Sequence, residues 1–158
     1  MKDTNLILNE IRRVVKDISE TKTKKLINEI IKAKKINIIG HGRSWHVGKS
    51  FAMRLRHLGL KVGVFRKDLT IVISGSGQTK DILAIVRKVP GKIICITAND
   101  HSQIAKESQL VIELKAKKSK QPLRSLFEQA TLIYLDSVVI KLMRKLKITE
   151  KDMWKRHD

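Results

Sequence analysis

Along the first 35 residues, apolar side chains recur at helical spacing: Leu6, Ile11, Val14, Val15 and Ile18, then Leu26, Ile27, Ile30 and Ile31. The run Ser19-Glu20-Thr21-Lys22-Thr23 divides this stretch into two helices, with Thr21 or Thr23 as the second N-cap. The period then changes. Ile36-Asn37-Ile38-Ile39-Gly40 is short and β-branched and predicts a strand. Residues 44–58 return to helical spacing, with Val47, Phe51, Leu55 and Leu58 on one face. Residues 61–65 and 69–74 read as strands, and 79–88 as a helix with Ile82, Ile85 and Val86 turned inward. After the Pro90-Gly91 turn come a strand at 92–97, a short helix at 101–107 and a last strand at 110–114. Residues 125–146 form a long helix carrying Leu126, Ile133, Leu135, Val138, Val139 and Leu142, and 149–158 a helical tail with Thr149 as N-cap.

Strands alternating with helices predict an α/β fold: a parallel sheet with helices on both faces. Near-continuous Ile/Val strands agree, because parallel strands are buried on both sides. The chain reads as a single domain, 1–158, with N-terminal helices at 1–35, an α/β core at 36–146 and a tail at 147–158. One connection breaks the pattern. Only Arg66, Lys67 and Asp68 lie between Phe65 and Leu69, whereas a parallel crossover takes a dozen or more residues. Three residues span at most ~11 Å, less than the ~17 Å of an ordinary strand. Either residues 61–65 are not a parallel strand, or a loop that would complete the crossover is missing from this chain.

Composition narrows the class. The 158 residues are 42% hydrophobic and 31% charged, as in a globular domain. No apolar run approaches the ~20 residues that span a bilayer, and Met1-Lys2-Asp3-Thr4-Asn5 lacks the apolar block of a signal peptide. The single cysteine, Cys95, sits in an apolar strand, which excludes an intrachain disulfide and fits a reducing cytoplasm. The net charge of +19 is spread along the chain: +5 over residues 1–35, +7 over 36–114 and +7 over 115–158. A spread field attracts phosphorylated metabolites, and nucleic acid only non-specifically. Aromatic content of 4% argues against a base-stacking platform. The densest cluster, Lys115-Ala116-Lys117-Lys118-Ser119-Lys120, is either a solvated loop or an anion site.

Two glycine-rich turns carry the chemistry. The first, Gly40-His41-Gly42-Arg43-Ser44, joins a strand to a helix. Its small residues let the backbone approach a ligand, the helix offers free N–H groups, and Arg43 adds a planar donor fork. It is not the dinucleotide fingerprint, because the third glycine position is Trp45. The second, Ser74-Gly75-Ser76-Gly77-Gln78-Thr79, offers three hydroxyls and a run of backbone N–H groups to phosphate oxygens. Gln78-Thr79 stands where a nucleotide-binding P-loop has Lys-Ser or Lys-Thr, so the turn suits a small phosphate ester. His41 and His46 have no cysteine or carboxylate cluster beside them, and no metal site is expected. His57 and His101 read as structural or exposed.

These turns, together with Phe51-Ala52-Met53-Arg54-Leu55-Arg56-His57-Leu58-Gly59, Leu126-Phe127-Glu128 and Lys155-Arg156-His157, resemble the archaeal 6-phospho-3-hexuloisomerases of the sugar isomerase (SIS) domain superfamily. The resemblance implies a three-layer, flavodoxin-like domain with a five-stranded parallel sheet. It implies a homo-oligomer, a tetramer or a dimer, with sites at subunit boundaries, and no metal or organic cofactor. The implied reaction interconverts 3-hexulose 6-phosphate and fructose 6-phosphate through an enediol. By that resemblance Glu128 is the base and His157, reaching into a neighbouring subunit, transfers a proton at oxygen. The phosphate and hydroxyl binders would be drawn from Gly42, Arg43, Ser44, Ser74, Gly75, Ser76, Gly77, Gln78 and Thr79. The chain departs from the family pattern at Trp45, which replaces a glycine, and at Leu123-Arg124-Ser125, which replaces Met-Gly-Thr beside the presumed base. The alternatives are a non-catalytic sugar-phosphate sensor and, on charge alone, a basic nucleic-acid-binding protein.

Overall fold

A computed structural model of the chain describes residues 1–63 and 68–157. Helices α1 (Lys2–Lys16) and α2 (Glu20–Lys32) precede strand β1 (Ile36–Gly40) and helix α3 (Gly42–His57). Strand β2 (Leu69–Ile73), helix α4 (Lys80–Val86), strand β3 (Lys92–Thr97), helix α5 (Gln103–Lys106) and strand β4 (Leu110–Glu113) follow. A 3-10 turn at Pro122–Arg124 leads into α6 (Ser125–Leu146), and α7 (Glu150–Trp154) closes the described chain.

The four strands pair in parallel in the order β1-β2-β3-β4. Alternate residues feed two cores. Ile36, Ile38, Leu69, Ile71, Ile73, Ile94, Ile96 and Ile112 face the layer of α1, α2, α3 and α6. Val72, Ile93 and Cys95 face the other layer, where Ile82 and Val86 of α4 and Ile104 of α5 cover them. Both faces are therefore dry, and the alternation of a half-exposed sheet is absent. Burial pushes the Cys95 thiol up to about 12, so it is an inert core group. Among the described helices none is long and apolar enough to cross a membrane.

The sequence predicts a fifth strand at 61–65. Among the described residues only Val62 pairs with the sheet, in a single parallel bridge to Ile36; Val64 and Phe65 lie outside the described residues. The Ile36 N–H donates to the Lys61 carbonyl at 2.9 Å and the Gly63 N–H to the Ile36 carbonyl at 3.0 Å. Leu69 pairs with the same Ile36 from its other side. Gly63 and Asp68 thus stand two strand spacings apart, ~10 Å, within the ~17 Å reach of five peptide steps. No long crossover is required of the described flanks. The return is pinned by Asp68, whose carboxylate accepts the N–H groups of Lys34 and Lys35 at 2.7 and 2.8 Å. Burial raises that carboxyl, but these two donors, its own backbone N–H and the Lys34 charge together hold it below the usual range.

Other boundaries move for local reasons. Ser19, rather than Thr21 or Thr23, caps α2 by accepting the Lys22 N–H. Thr23 is buried inside the helix, where its hydroxyl meets Tyr134 Oη at 3.0 Å. Ile85, read as inward, is 43% exposed, and Ile133 of the long helix is 49% exposed. Thr149 caps α7 as predicted, in a reciprocal capping box with Asp152.

Candidate active site

Val62 lies beside β1 on the side away from β2, so the chain leaves β1 in one direction and re-enters the sheet in the other. The carboxyl ends of β1 and β2 therefore flank a topological switch point, where open α/β sheets bind ligands. Both glycine turns start there, because Gly40 pairs with Ile73. A side chain at position 40 would stand 3.0 Å from the Trp45 nitrogen and 3.1 Å from the Ile73 carbonyl, so only glycine lets the two strand ends approach.

Between the turns is a cavity of about 140 Å³ whose walls include His41, Ser44, Ser74, Ser76, Thr79 and Glu128. Gly75, Leu123, Arg124 and Phe127 also line it. Ser44 and Ser74 are buried, at the first turn of α3 and the end of β2. The second turn is braced from within. The Gly77 N–H donates to Ser74 Oγ at 3.2 Å, the Gln78 N–H donates to Ser76 Oγ at 3.2 Å, and the Ser74 and Thr79 hydroxyls stand 3.4 Å apart. The Gly75 and Gly77 carbonyls are turned into the protein, where they accept the N–H groups of Ala98 and Ile104, each at 3.1 Å. A ligand oxygen in the cavity accordingly meets hydroxyls rather than carbonyls, which suits an anion. Gly77 has φ +62°, and a Cβ there would overlap the buried Ser102 side chain.

Glu128 stands on the first turn of α6, its side chain 15% exposed. Its Oε2 is 3.1 Å from Arg43 Nε, yet this buried oxygen accepts no directed hydrogen bond among the described residues. Arg43 is oriented by a second contact, donating to Ser125 Oγ at 2.8 Å, and Ser125 in turn donates to the Pro122 carbonyl at 2.8 Å. A carboxylate oriented by an ion pair on the wall of a cavity is placed to exchange a proton with a ligand there.

The expected site residues thus divide. Ser44, Ser74, Gly75, Ser76, Thr79 and Glu128 meet at one cavity. Arg43 serves Glu128, and Gly42, at φ +54°, turns the chain into α3. Gly77 and Gln78 do not line the cavity: Gly77 backs onto Ser102, and Gln78 faces a neighbouring basin. His157 is elsewhere. Its ring lies 5.0 Å from that of His57, at the far end of α3 from Ser44, and the 16 residues of that helix rise roughly 24 Å. Burial, then the charges of His157 and Arg54, keep the His57 imidazole below its ordinary value. Trp45 does not line the cavity; it stands 40% exposed beside Lys49, Met53 and Val62. His41, Leu123, Arg124 and Phe127 were not foreseen as walls. No group of His, Cys, Asp and Glu among the described residues is arranged to hold a metal ion.

The SIS domain profile matches residues 29–139, which include both turns and Glu128. This chain belongs to the SIS domain family. Within the family it is 41% identical to a 3-hexulose-6-phosphate isomerase of Methanocaldococcus jannaschii, over 87% of this chain and 83% of that one. It is 33% identical to the 3-hexulose-6-phosphate isomerase of Bacillus subtilis, over 96% of this chain and 93% of that one. The second match runs over 172 positions, more than the 158 residues of this SIS domain, so that relative carries residues with no counterpart here. A solved structure from Methanococcus jannaschii, for which a molecular function of 3-hexulose-6-phosphate isomerase is inferred, superimposes with a TM-score of 0.89. It is 36% identical, over 100% of this chain and 98% of that one.

Proposed function

We propose that this SIS domain is a phosphosugar isomerase that interconverts 3-hexulose 6-phosphate and fructose 6-phosphate. The observation that carries the reading is the placement of Glu128, its carboxylate oriented by Arg43, on the wall of the cavity that Ser44, Ser74, Ser76 and Thr79 line with hydroxyls. The hydroxyls of Ser74, Ser76 and Thr79 hold the phosphate. Glu128 takes the proton from C2 of the 3-ketose, the electrons of that C–H bond form the C2–C3 double bond of an enediol, and the proton returns at C3. The proton that leaves the C2 hydroxyl and the one that arrives at the former C3 carbonyl need a second acid–base group. His157 of a neighbouring subunit fills that role. A homo-oligomer is supported by exposed apolar residues near Glu128 on α6, Leu132 at 37% and Ile133 at 49%, and by a groove of about 380 Å³ beside Glu128, lined by Arg43, His46 and Leu132.

The test is proton exchange. Fructose 6-phosphate in deuterated water gains deuterium at C3, and Glu128→Gln lowers that rate by ~10²–10⁴, the usual worth of a positioned base, while fructose 6-phosphate still protects the fold against heat. A Glu128→Gln chain that exchanges at the wild-type rate removes the reading. Mixing separately inactive Glu128→Gln and His157→Gln chains restores exchange if one site draws on two subunits. A His157→Gln chain that exchanges at the wild-type rate places His157 outside the mechanism.

A further inference from the structure

Beyond the 74–79 turn lies a second, larger basin of about 380 Å³. It shares Gly75, Ser76, Arg124 and Phe127 with the cavity of Glu128. Its remaining polar walls are Gln78, Asn99 and Lys117, and no carboxylate lines it. Among the described residues neither Arg124 nor Lys117 has an acidic partner, although Arg43, Arg87, Lys92, Lys141 and Lys155 do.

Both cations are held at the basin by the backbone. Arg124 sits in the left-handed region, φ 65°, between the 3-10 turn and α6. Lys117 lies in the lysine-rich segment, which is not a freely solvated loop. On one side Ala116 is buried in the core. On the other, Glu10 of α1 accepts the Ser119 hydroxyl at 2.7 Å, the Lys120 N–H at 3.0 Å and the Gln121 amide at 2.9 Å. Arg13 also donates to the Lys118 carbonyl at 2.8 Å. A point charge, a guanidinium fork and two side-chain amides converge on one hollow, which is the donor set for a phosphate dianion.

We propose that this basin is a second anion site, taking a phosphate group on Lys117 and Arg124. The shared lip at Gly75 and Ser76 lets that phosphate be the far end of a ligand already seated in the Glu128 cavity, or a separate ion. The first source rests on the phosphosugar reading of that cavity; the second does not.

Calorimetric titration of the full chain separates the sources. If the group is the far end of the ligand, fructose 1,6-bisphosphate binds ~10-fold tighter than fructose 6-phosphate, as one charge-assisted contact warrants, and Lys117→Gln abolishes that ratio. If it is a separate ion, inorganic phosphate still binds to protein saturated with fructose 6-phosphate, and Lys117→Gln removes that binding. Lys118→Gln, an equal loss of charge one residue away, leaves both signals in place. The proposal is overturned if Lys117→Gln changes neither signal, or if Lys118→Gln lowers them as much, since the effect is then diffuse charge. Phosphate binding that depends on Lys117 in a chain that ignores fructose 6-phosphate leaves this site standing and removes the isomerase reading instead.

Discussion

The two glycine-rich turns begin side by side at the ends of paired strands and do different work. The first is almost wholly absorbed into α3, which already starts at Gly42. It gives the cavity Ser44 and His41, and sends Arg43 across to Glu128. The second stays outside its helix, with Thr79 as the N-cap of a seven-residue α4. It spends two hydroxyls bracing its own N–H groups and turns its carbonyls inward. A turn that enters a long helix at once gains an orienting side chain and loses free backbone. A turn that remains a loop keeps donors for a ligand but must be packed from behind. In the proposed reaction the first turn would therefore set the base, and the second the phosphate.

The strongest way to break this division is to unseat the second turn. Gly77→Ala puts a Cβ into the Ser102 side chain at a positive φ. Left-handed backbone alone costs an alanine ~1–2 kcal/mol, and the overlap adds to it. The expected result is a lower denaturation midpoint together with a loss of protection by fructose 6-phosphate. Pairing it with Ser102→Gly removes the overlap but not the backbone strain, and recovers part of both. If Gly77→Ala binds the sugar phosphate normally, the turn is not the phosphate cradle.

A smaller effect is expected at the first turn. Arg43→Gln leaves the phosphate donors intact and releases Glu128 from its 3.1 Å contact. Turnover should fall ~10-fold, the worth of one charge-assisted contact, with little change in KM. Arg43→Lys keeps the charge but not the fork that reaches both Glu128 and Ser125, and should restore only part of the rate. A rise in KM with turnover unchanged would make Arg43 a substrate-binding residue and erase the contrast between the turns.

Those contrasts mark how far the sequence could be read. Strand runs such as Ile93-Ile94-Cys95-Ile96 and the long helix at 125–146 were legible because burial on both faces, or one unbroken periodic stretch, leaves a single choice. The cap of α2 was not, since Ser19, Thr21 and Thr23 are all capable and the burial of Thr23 against Tyr134 decides among them. Ser44, Ser74, Ser76, Thr79 and Glu128 could be gathered from motifs. The direction of Gly77 could not, because it depends on Ser102, far along the chain. Arg124 was hardest to read. The glycine of the family pattern at this position points to its left-handed backbone, but only the fold shows that the arginine side chain stands where two hollows meet.

Arg124 also supplies the smallest of these tests, on the wall that both turns share. It follows Leu123, and the two are consecutive left-handed residues, at φ 65° and 51°. Glycine adopts this backbone without a Cβ clash. Arg124→Gly should therefore relieve ~1 kcal/mol of strain, less what the more flexible unfolded chain takes back, and raise the denaturant midpoint with an unchanged slope. Any affinity that fructose 1,6-bisphosphate gains over fructose 6-phosphate should shrink in the same variant, because the guanidinium is gone. A midpoint that falls instead would mean that the Arg124 side chain holds the entry to α6 in place, and that position 124 was kept for stability rather than for an anion.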